Sequence, residues 1–226
     1  MRIAVIPARG GSKRIPKKNI KVFHGKPIIG YSIEAALNSG CFDRVIVSTD
    51  DIEVATIAKR FGAEVPFMRP ANIADDHTGT MDVVRHAIEW FSGEDLNVEY
   101  VCCIYATAPF ISAESIKRGY DALTKGSFKF SFSATNYCFP IQRSFKRNSD
   151  GSVQMFTPEY SDCRSQDLDE AYHDAGQFYW GRSHAFLNNS SIFSEQSFAV
   201  LIPRIRVQDI DTLEDWEIAE KLYLLL

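Results

Sequence analysis

Apolar runs alternate with amphipathic stretches over the first 125 residues of the chain. Short runs rich in Ile and Val predict strands that are buried on both faces, because neither face carries regular polar positions. Such runs occur at residues 3–6, 44–50, 64–68 and 100–105. Apolar residues recur at helical spacing over 27–38, 51–60 and 80–91. This alternation predicts an α/β fold, a Rossmann-like and mostly parallel sheet with helices on both faces.

The pattern changes after Lys125. Residues 128–137 form an aromatic, alternating run, and residues 147–151 read as a turn that 153–156 could follow as the second arm of a β-hairpin. We therefore expect a small insertion outside the main sheet at about 138–172, although the sequence also permits a simple surface hairpin. Strands at 177–180 and 199–202 and an amphipathic helix over 212–226 complete a single domain of 226 residues.

A loop rich in glycine and cations follows the first predicted strand. It contains Arg9, a pair of glycines, Ser12 and Lys13. Glycine lets backbone N–H groups approach an anion closely, while the hydroxyl and the ammonium add a donor and a positive charge. The loop is predicted to hold a polyphosphate, although its spacing fits neither the Walker A loop nor the dinucleotide fingerprint. Three lysines that follow are expected to lie on a solvated surface: Lys17, Lys18 and Lys21.

Polar or turn-forming residues also follow the next three predicted strands. In a parallel sheet, ligands bind at the carboxyl ends of the strands, so we expect the functional site at this edge. Some of these residues have a simpler role. Asp50 or Asp51, and Ser112, are expected to cap helices.

Two aspartates near the carboxyl end form a second candidate site. Asp209 and Asp211 are separated by one residue, so in an extended segment their carboxylates project to the same side. Carboxylate oxygens suit a hard cation such as Mg²⁺. The alternative is that Asp211 or Thr212 caps the last helix and Asp209 is solvated.

Composition limits the classes of function. A net charge of −4 argues against nucleic acid as the main partner. The five cysteines show no metal-binding spacing, and reduced thiols are expected. We find no segment typical of a signal peptide or a membrane span, so we expect a cytoplasmic enzyme that does not act on a membrane.

The run from Ile6 to Ile20, I-P-A-R-G-G-S-K-R-I-P-K-K-N-I, resembles the signature of the CMP-sialic acid synthetase family of cytidylyltransferases. The resemblance implies that the loop wraps the triphosphate of CTP. The nucleotide-binding positions it implies here are Ala8, Arg9, Gly10, Gly11, Ser12, Lys13 and Asn19. The family places its metal ligands at the D-x-D pair, which implies Mg²⁺ at Asp209 and Asp211. Catalysis would depend on Arg9, Lys13 and Asp211.

A second stretch of resemblance begins at Arg69. Residues 69–76 resemble the R-P-x-x-L-A-x-D segment whose arginine contacts the nucleotide base, which implies this role for Arg69. Thr80 stands where members of the family commonly have serine, and it is a candidate for contact with the base or ribose.

The predicted sugar site departs from the sialic acid pattern. Tyr105 stands where those synthetases have the glutamine of Q-P-T-S-P, which favours a nine-carbon acidic sugar that is deoxygenated and carries extra acylamino groups. Residues 164–168 and 174–180 resemble the branch that activates pseudaminic acid. The candidate sugar-binding residues are Tyr105, Thr107, Arg143, Arg164, Gln166, Gln177, Phe178 and Tyr179.

Within this set, Arg143 and Arg164 are candidates for the sugar carboxylate, because an arginine fork suits a carboxylate, or they could hold a dimer together. Phe178 could equally belong to the core. In the family the insertion reaches a second subunit, which implies a homodimer. The alternatives are synthetases for N-acetylneuraminate or legionaminate and, from another class, a nucleotide-binding sensor without catalysis.

Overall fold

A computed structural model describes residues 1–75 and 78–226 of the chain. Its strands, in chain order, are β1 (Arg2–Pro7), β2 (Val22–Phe23), β3 (Lys26–Pro27), β4 (Arg44–Ser48), β5 (Tyr100–Ile104), β6 (Phe130–Asn136), β7 (Phe145–Arg147), β8 (Val153–Met155), β9 (Tyr172–Arg182) and β10 (Ser197–Leu201). The α-helices are α1 (Ile29–Ser39), α2 (Ile52–Arg60), α3 (Thr80–Gly93), α4 (Ala113–Lys125), α5 (Ser183–Leu187) and α6 (Leu213–Tyr223).

Six of these strands form the central sheet, in the order β10-β6-β9-β5-β1-β4. Strand β1 is parallel to both β4 and β5, and β10 is parallel to β6. Only β9 is antiparallel to its two neighbours in this sheet, β5 and β6. The prediction of a mostly parallel sheet is confirmed.

Both faces of the sheet are covered, as the continuous apolar runs predicted. Along β1, Ala4 and Ile6 pack in the core cluster that includes residues of α1, α2 and α4. Ile3 and Val5 point to the other face and pack with residues of α3 and α5. A strand with helices on both sides has no solvent-facing side, which explains the lack of polar alternation.

The helix ends follow the predicted capping. Asp51 accepts hydrogen bonds from the backbone N–H groups of Glu53 and Val54 at the start of α2. Ser112 caps α4 in the same way. Gly40 ends α1 with a φ of 64°, a left-handed conformation that glycine adopts without steric cost.

The predicted strand at residues 64–68 is wrong. This segment makes only isolated bridges beside β4, at Glu64 and Met68. Pro66 lies between them and has no backbone N–H, so a continuous ladder cannot form across the segment.

A segment that lies outside the central sheet separates β6 from β9. It contains the antiparallel pair β7 and β8, in which Arg147 pairs with Val153. The predicted hairpin is therefore confirmed.

A third core cluster joins the two ends of the chain. Ile15, from the segment after the glycine loop, is buried together with Phe23 of β2, with Ile210, and with Trp216 of the last helix, α6. This packing holds the D-x-D segment beside the loop, although the two are far apart in sequence.

Two further findings concern the chain as a whole. None of the described helices is both long and apolar enough to cross a membrane. All five cysteines are free thiols, as expected.

Candidate active site

Two adjoining cavities open at the carboxyl ends of the strands, and Tyr105 lines both of them. The first cavity, of about 300 Å³, is lined by residues from both ends of the chain. Nine predicted site residues meet there: Arg9, Ser12, Lys13, Asn19, Arg69, Thr80, Tyr105, Thr107 and Asp211. The second cavity, of about 500 Å³, lies next to β9 and includes Asp209.

The glycine loop is held in place from two sides. The N–H of Gly10 donates to the carboxylate of Asp50 at 2.9 Å, and the side-chain amide of Asn19 donates to the carbonyl of Arg9, also at 2.9 Å. Asp50 thus anchors the loop, while Asp51 caps α2. A β-carbon at Gly10 would lie 2.5 Å from a carboxylate oxygen of Asp51, so this close approach requires glycine.

Five cations surround the first cavity: Arg9, Lys13, Arg14, Lys18 and Arg69. Arg69 is buried, and its guanidinium donates to the hydroxyl and the carbonyl of Ser48. Burial lowers the pKa of Arg69, and the charge of Asp50 opposes this shift. Arg9 donates to the carbonyl of Asp75 at 2.7 Å. Positive charge concentrated in one cavity suits a polyanionic ligand.

Asp211 lies between two of these cations. Its carboxylate is 2.9 Å from the guanidinium of Arg14 and 3.2 Å from the ammonium of Lys18. Lys18 also donates to the carbonyl of Ile210 at 2.6 Å. The prediction that Lys18 lies on a solvated surface is therefore wrong, because tertiary packing turns it towards the D-x-D segment.

The neighbouring lysines differ from Lys18. Lys17 pairs with Glu53 at the surface, and Lys21 lies 4.3 Å from the ring centre of Trp216. Helix α6 is capped by Thr212 and Asp215 rather than by Asp211. The carboxylate of Asp211 therefore remains directed at the cavity.

Asp209 and Asp211 line different cavities that adjoin each other. Asp209 is exposed to solvent, but desolvation by the protein on its other side, together with the nearby charge of Asp211, raises its pKa. In the described part of the chain, no group of three or more His, Cys, Asp or Glu side chains could hold a metal ion. Mg²⁺ is commonly bound by one or two carboxylates, with phosphate oxygens and water completing its shell, so the pair fits such an ion once a phosphate ligand is present.

The second cavity is built around an irregularity in β9. The pairing of β6 with β9 changes register between Phe132 and Ala134, and β9 carries the extra residues. The hydroxyl of Ser133 accepts from the backbone N–H groups of Gln177 and Phe178 at 3.1 and 3.2 Å. Bulges of this kind redirect side chains next to active sites.

A hydrogen-bonded chain crosses the wall between the cavities. The hydroxyl of Tyr179 donates to the carboxylate of Asp174, which also accepts from the N–H of Gly176 at 2.8 Å. The Tyr105 side chain interacts with both Tyr179 and Thr80. Burial raises the pKa of both tyrosines above the ordinary value of a phenol.

Several predicted residues lie in the core instead of at a cavity. Phe178 is fully buried between the sheet and α4, so the core alternative describes its position. Ala8 is also buried in this cluster, and Gln177 donates from its buried side chain to the carbonyl of Arg206 at 2.6 Å. Gly10 and Gly11 form the loop backbone without lining the cavity.

The structure does not bring the predicted carboxylate-binding arginines to a cavity of the same chain. Arg164 pairs with Asp167 at 2.7 Å, and Arg143 donates to the carbonyl of Cys163. Both belong to the segment between β6 and β9, as does the exposed Gln166. Among the described residues, none of the three lines either cavity.

Sequence reasoning missed residues at both cavities. These are Arg14, Lys18, Asp75 and Thr78 at the first, and His173, Asp174, Val207 and Gln208 at the second. Lys18 and Asp174 lie inside motifs that carry the family resemblance, which was the available signal. Val207 and Gln208 belong to no such motif.

Comparison with known proteins agrees with this geometry. A family profile described as Cytidylyltransferase matches residues 3–223. The chain is 48% identical over 221 residues to a pseudaminic acid cytidylyltransferase of Campylobacter jejuni subsp. jejuni serotype O:2, covering 98% of this chain and 95% of that protein. It is 34% identical to a CMP-N,N'-diacetyllegionaminic acid synthase of Legionella pneumophila, covering 97% and 95%.

A solved structure supports the fold. The CMP:2-keto-3-deoxy-manno-octonic acid synthetase complexed with CTP superposes with a TM-score of 0.71, over 99% of this chain and 98% of that chain. The two sequences are 18% identical, so the similarity concerns the fold alone.

Proposed function

The chain belongs to the cytidylyltransferase family, and on this premise we propose that it joins CTP and pseudaminic acid to give CMP-pseudaminic acid and pyrophosphate. One observation carries the proposal. Lys13 and Asp211, from opposite ends of the chain, line one cationic cavity, and a second cavity shares Tyr105 with it. The first cavity suits a triphosphate, and the second leaves room for a sugar acid next to it.

The reaction requires the two substrates to meet in line. The anomeric hydroxyl of the sugar attacks the α-phosphorus of CTP and loses its proton, and the bond from the α-phosphorus to pyrophosphate breaks. Arg9 and Lys13 bind the phosphates and stabilise the charge that develops on the leaving group. Ser12 orients the phosphates, while Arg69 and Thr80 hold the base and ribose. Most of the rate enhancement then comes from positioning and electrostatics.

Asp209 and Asp211 are proposed to hold Mg²⁺ at the boundary between the cavities. When bound, Mg²⁺ supplies positive charge next to the phosphates. For this to occur, Arg14 and Lys18 must release the carboxylate of Asp211. The triphosphate offers Arg14 and Lys18 an alternative anionic partner. Nucleotide binding therefore frees the carboxylate of Asp211 and favours binding of the metal ion.

We further propose that the enzyme is a cytoplasmic homodimer. The segment between β6 and β9 exposes several large apolar side chains, among them Phe139 at 82% and Phe156 at 67%. An exposed apolar surface of this kind suits contact with a second copy. In such a dimer, Arg143 and Arg164 could serve the neighbouring sugar site.

An activity panel tests the proposal. Purified protein is incubated with CTP, Mg²⁺ and either pseudaminate, legionaminate or N-acetylneuraminate, and pyrophosphate release is measured. We expect the highest kcat/KM with pseudaminate, no release without a sugar acid, and loss of turnover in Lys13→Ala and Asp211→Ala. Release with N-acetylneuraminate alone would move the assignment to the sialic acid branch, and CTP binding without turnover on any sugar would refute the proposed reaction.

A further inference from the structure

Among the described residues, the second cavity is lined by hydrogen-bond acceptors but by no lysine or arginine. Its described lining includes the carboxylates of Asp174 and Asp209, the two tyrosines and His173, but neither lysine nor arginine. All five cations described above line the first cavity. Within one chain, the cations that could bind the sugar carboxylate therefore lie towards the boundary with the first cavity, and a different part of the sugar faces Asp174.

Asp174 is held with its carboxylate available to a ligand. Its backbone lies next to the irregularity in β9. There Gly176 adopts a φ of 62°, and its N–H donates to the Asp174 side chain. Tyr179 donates its single hydroxyl proton to the other carboxylate oxygen. Two donors satisfy only part of a carboxylate, which can accept about four hydrogen bonds. The remaining lone pairs can accept from a ligand in the cavity.

The chemistry next to Asp174 matches one kind of substituent. Ala175 and Val207 add apolar surface to the lining, and the tyrosine rings lie beside it. An acylamino group combines an N–H donor with an apolar acyl methyl, whereas a hydroxyl can donate a hydrogen bond but has no apolar group. The cavity therefore places an acceptor and apolar surface where an acylamino group needs both.

We propose that Asp174 determines the specificity for the sugar by accepting a hydrogen bond from an acylamino N–H of the substrate. This inference rests on the proposed function. Tyr179 is a positioning residue that holds the carboxylate.

The test compares Asp174→Asn with the wild-type enzyme on paired substrates. The substrates are pseudaminic acid and analogues in which each acylamino group is replaced in turn by a hydroxyl. An asparagine has one acceptor oxygen for Tyr179 and Gly176, and its amide presents further N–H groups to the substrate. We expect kcat/KM for pseudaminic acid to fall about tenfold to a hundredfold, as for loss of a hydrogen bond to a charged group, mainly through the KM of the sugar.

For the analogue that lacks the recognised acylamino group, kcat/KM should hardly change on this substitution. The ratio of kcat/KM between pseudaminic acid and this analogue should therefore fall towards one. The KM for CTP should stay within about twofold, because Asp174 does not line the first cavity. Asp121→Asn is the matched control, since it removes a carboxylate from an exposed ion pair with Lys125 on α4 and should change none of these values.

Tyr179→Phe separates recognition from support. Activity should fall, because the Asp174 carboxylate loses the hydroxyl that holds it. The preference for the acylamino sugar should persist, because the charge of Asp174 remains in place. Equal losses for all sugars in Asp174→Asn, or an unchanged preference, would overturn the inference while leaving the proposed reaction intact. Absence of turnover by the wild-type enzyme on every sugar acid would overturn both.

Discussion

The convergence of the two chain ends depends on Ile210, and its substitution tests this dependence. Ile210 lies between Asp209 and Asp211, is fully buried, and packs with Ile15 and Trp216. We predict that Ile210→Ala both destabilises the protein and loosens the acidic pair. The comparable substitution Ile116→Ala, on α4 in a different core cluster, removes the same atoms from an equally buried site away from the cavities.

The expected magnitudes follow from burial. Truncating a fully buried isoleucine to alanine costs about 2–5 kcal/mol of unfolding free energy, through lost apolar burial and the cavity left behind. For a domain of this size, each kcal/mol lowers Tm by about 2–4 °C, so both variants should melt about 4–20 °C below wild type. Only Ile210→Ala should also reduce kcat, by about tenfold to a hundredfold, because small displacements of positioning groups are costly in catalysis.

The assay combines thermal melting with steady-state kinetics at a temperature where both variants are folded. Mn²⁺ binding in the presence of CTP, followed by electron paramagnetic resonance, reports on the acidic pair directly. If Ile116→Ala loses as much kcat and Mn²⁺ affinity as Ile210→Ala, general destabilisation explains both. This result would refute a role for the cluster in positioning the site.

Three further predictions concern single contacts. Gly10→Ala should weaken CTP binding at least about tenfold, since a β-carbon 2.5 Å from the aspartate that caps α2 forces the loop to move. Lys18→Met should raise the Kd for CTP about tenfold to a hundredfold, because it removes a charged donor that contacts Asp211 and faces the phosphate site. Asp43→Asn should lower Tm at neutral pH only. Hydrogen bonds from Arg2 hold the pKa of Asp43 below its ordinary value. The ionised carboxylate therefore stabilises the fold at pH values above the ordinary pKa of an aspartate, and this stabilisation is lost as the pH falls through the lowered pKa.

Matched controls exist for the first two contacts. Gly93→Ala, at the end of α3 that lies away from the cavity, meets no atom within 4 Å of its new β-carbon and should bind CTP normally. Lys17→Met removes the adjacent lysine, which pairs with Glu53 at the surface. Calorimetric titration with CTP measures both pairs, and equal effects within a pair would contradict the assigned contacts. For Asp43→Asn, a difference in Tm from wild type that persists unchanged into strong acid would contradict the link to ionisation.

The sequence alone determined the layers of the fold and the main chemical groups. Continuous apolar runs predict strands that are covered on both sides, and the glycine-rich loop at the end of the first run predicts an anion site. Such signals are local, because they depend on residue types at short spacing. The same reasoning failed at residues 64–68, where Pro66 breaks a ladder that the apolar pattern favoured.

Only the tertiary structure decided which of these groups meet. Lys18 and Asp211 are 193 positions apart, and no local pattern reports their contact, which depends on the buried cluster around Ile210. Strand β9 sends Phe178 into the core and Tyr179 to the second cavity, because successive side chains point to opposite faces and the bulge sets the register. Asp174 becomes part of the site for the same reason. Which side of an element faces a cavity is fixed by packing against distant elements, and a single stretch of sequence does not contain that information.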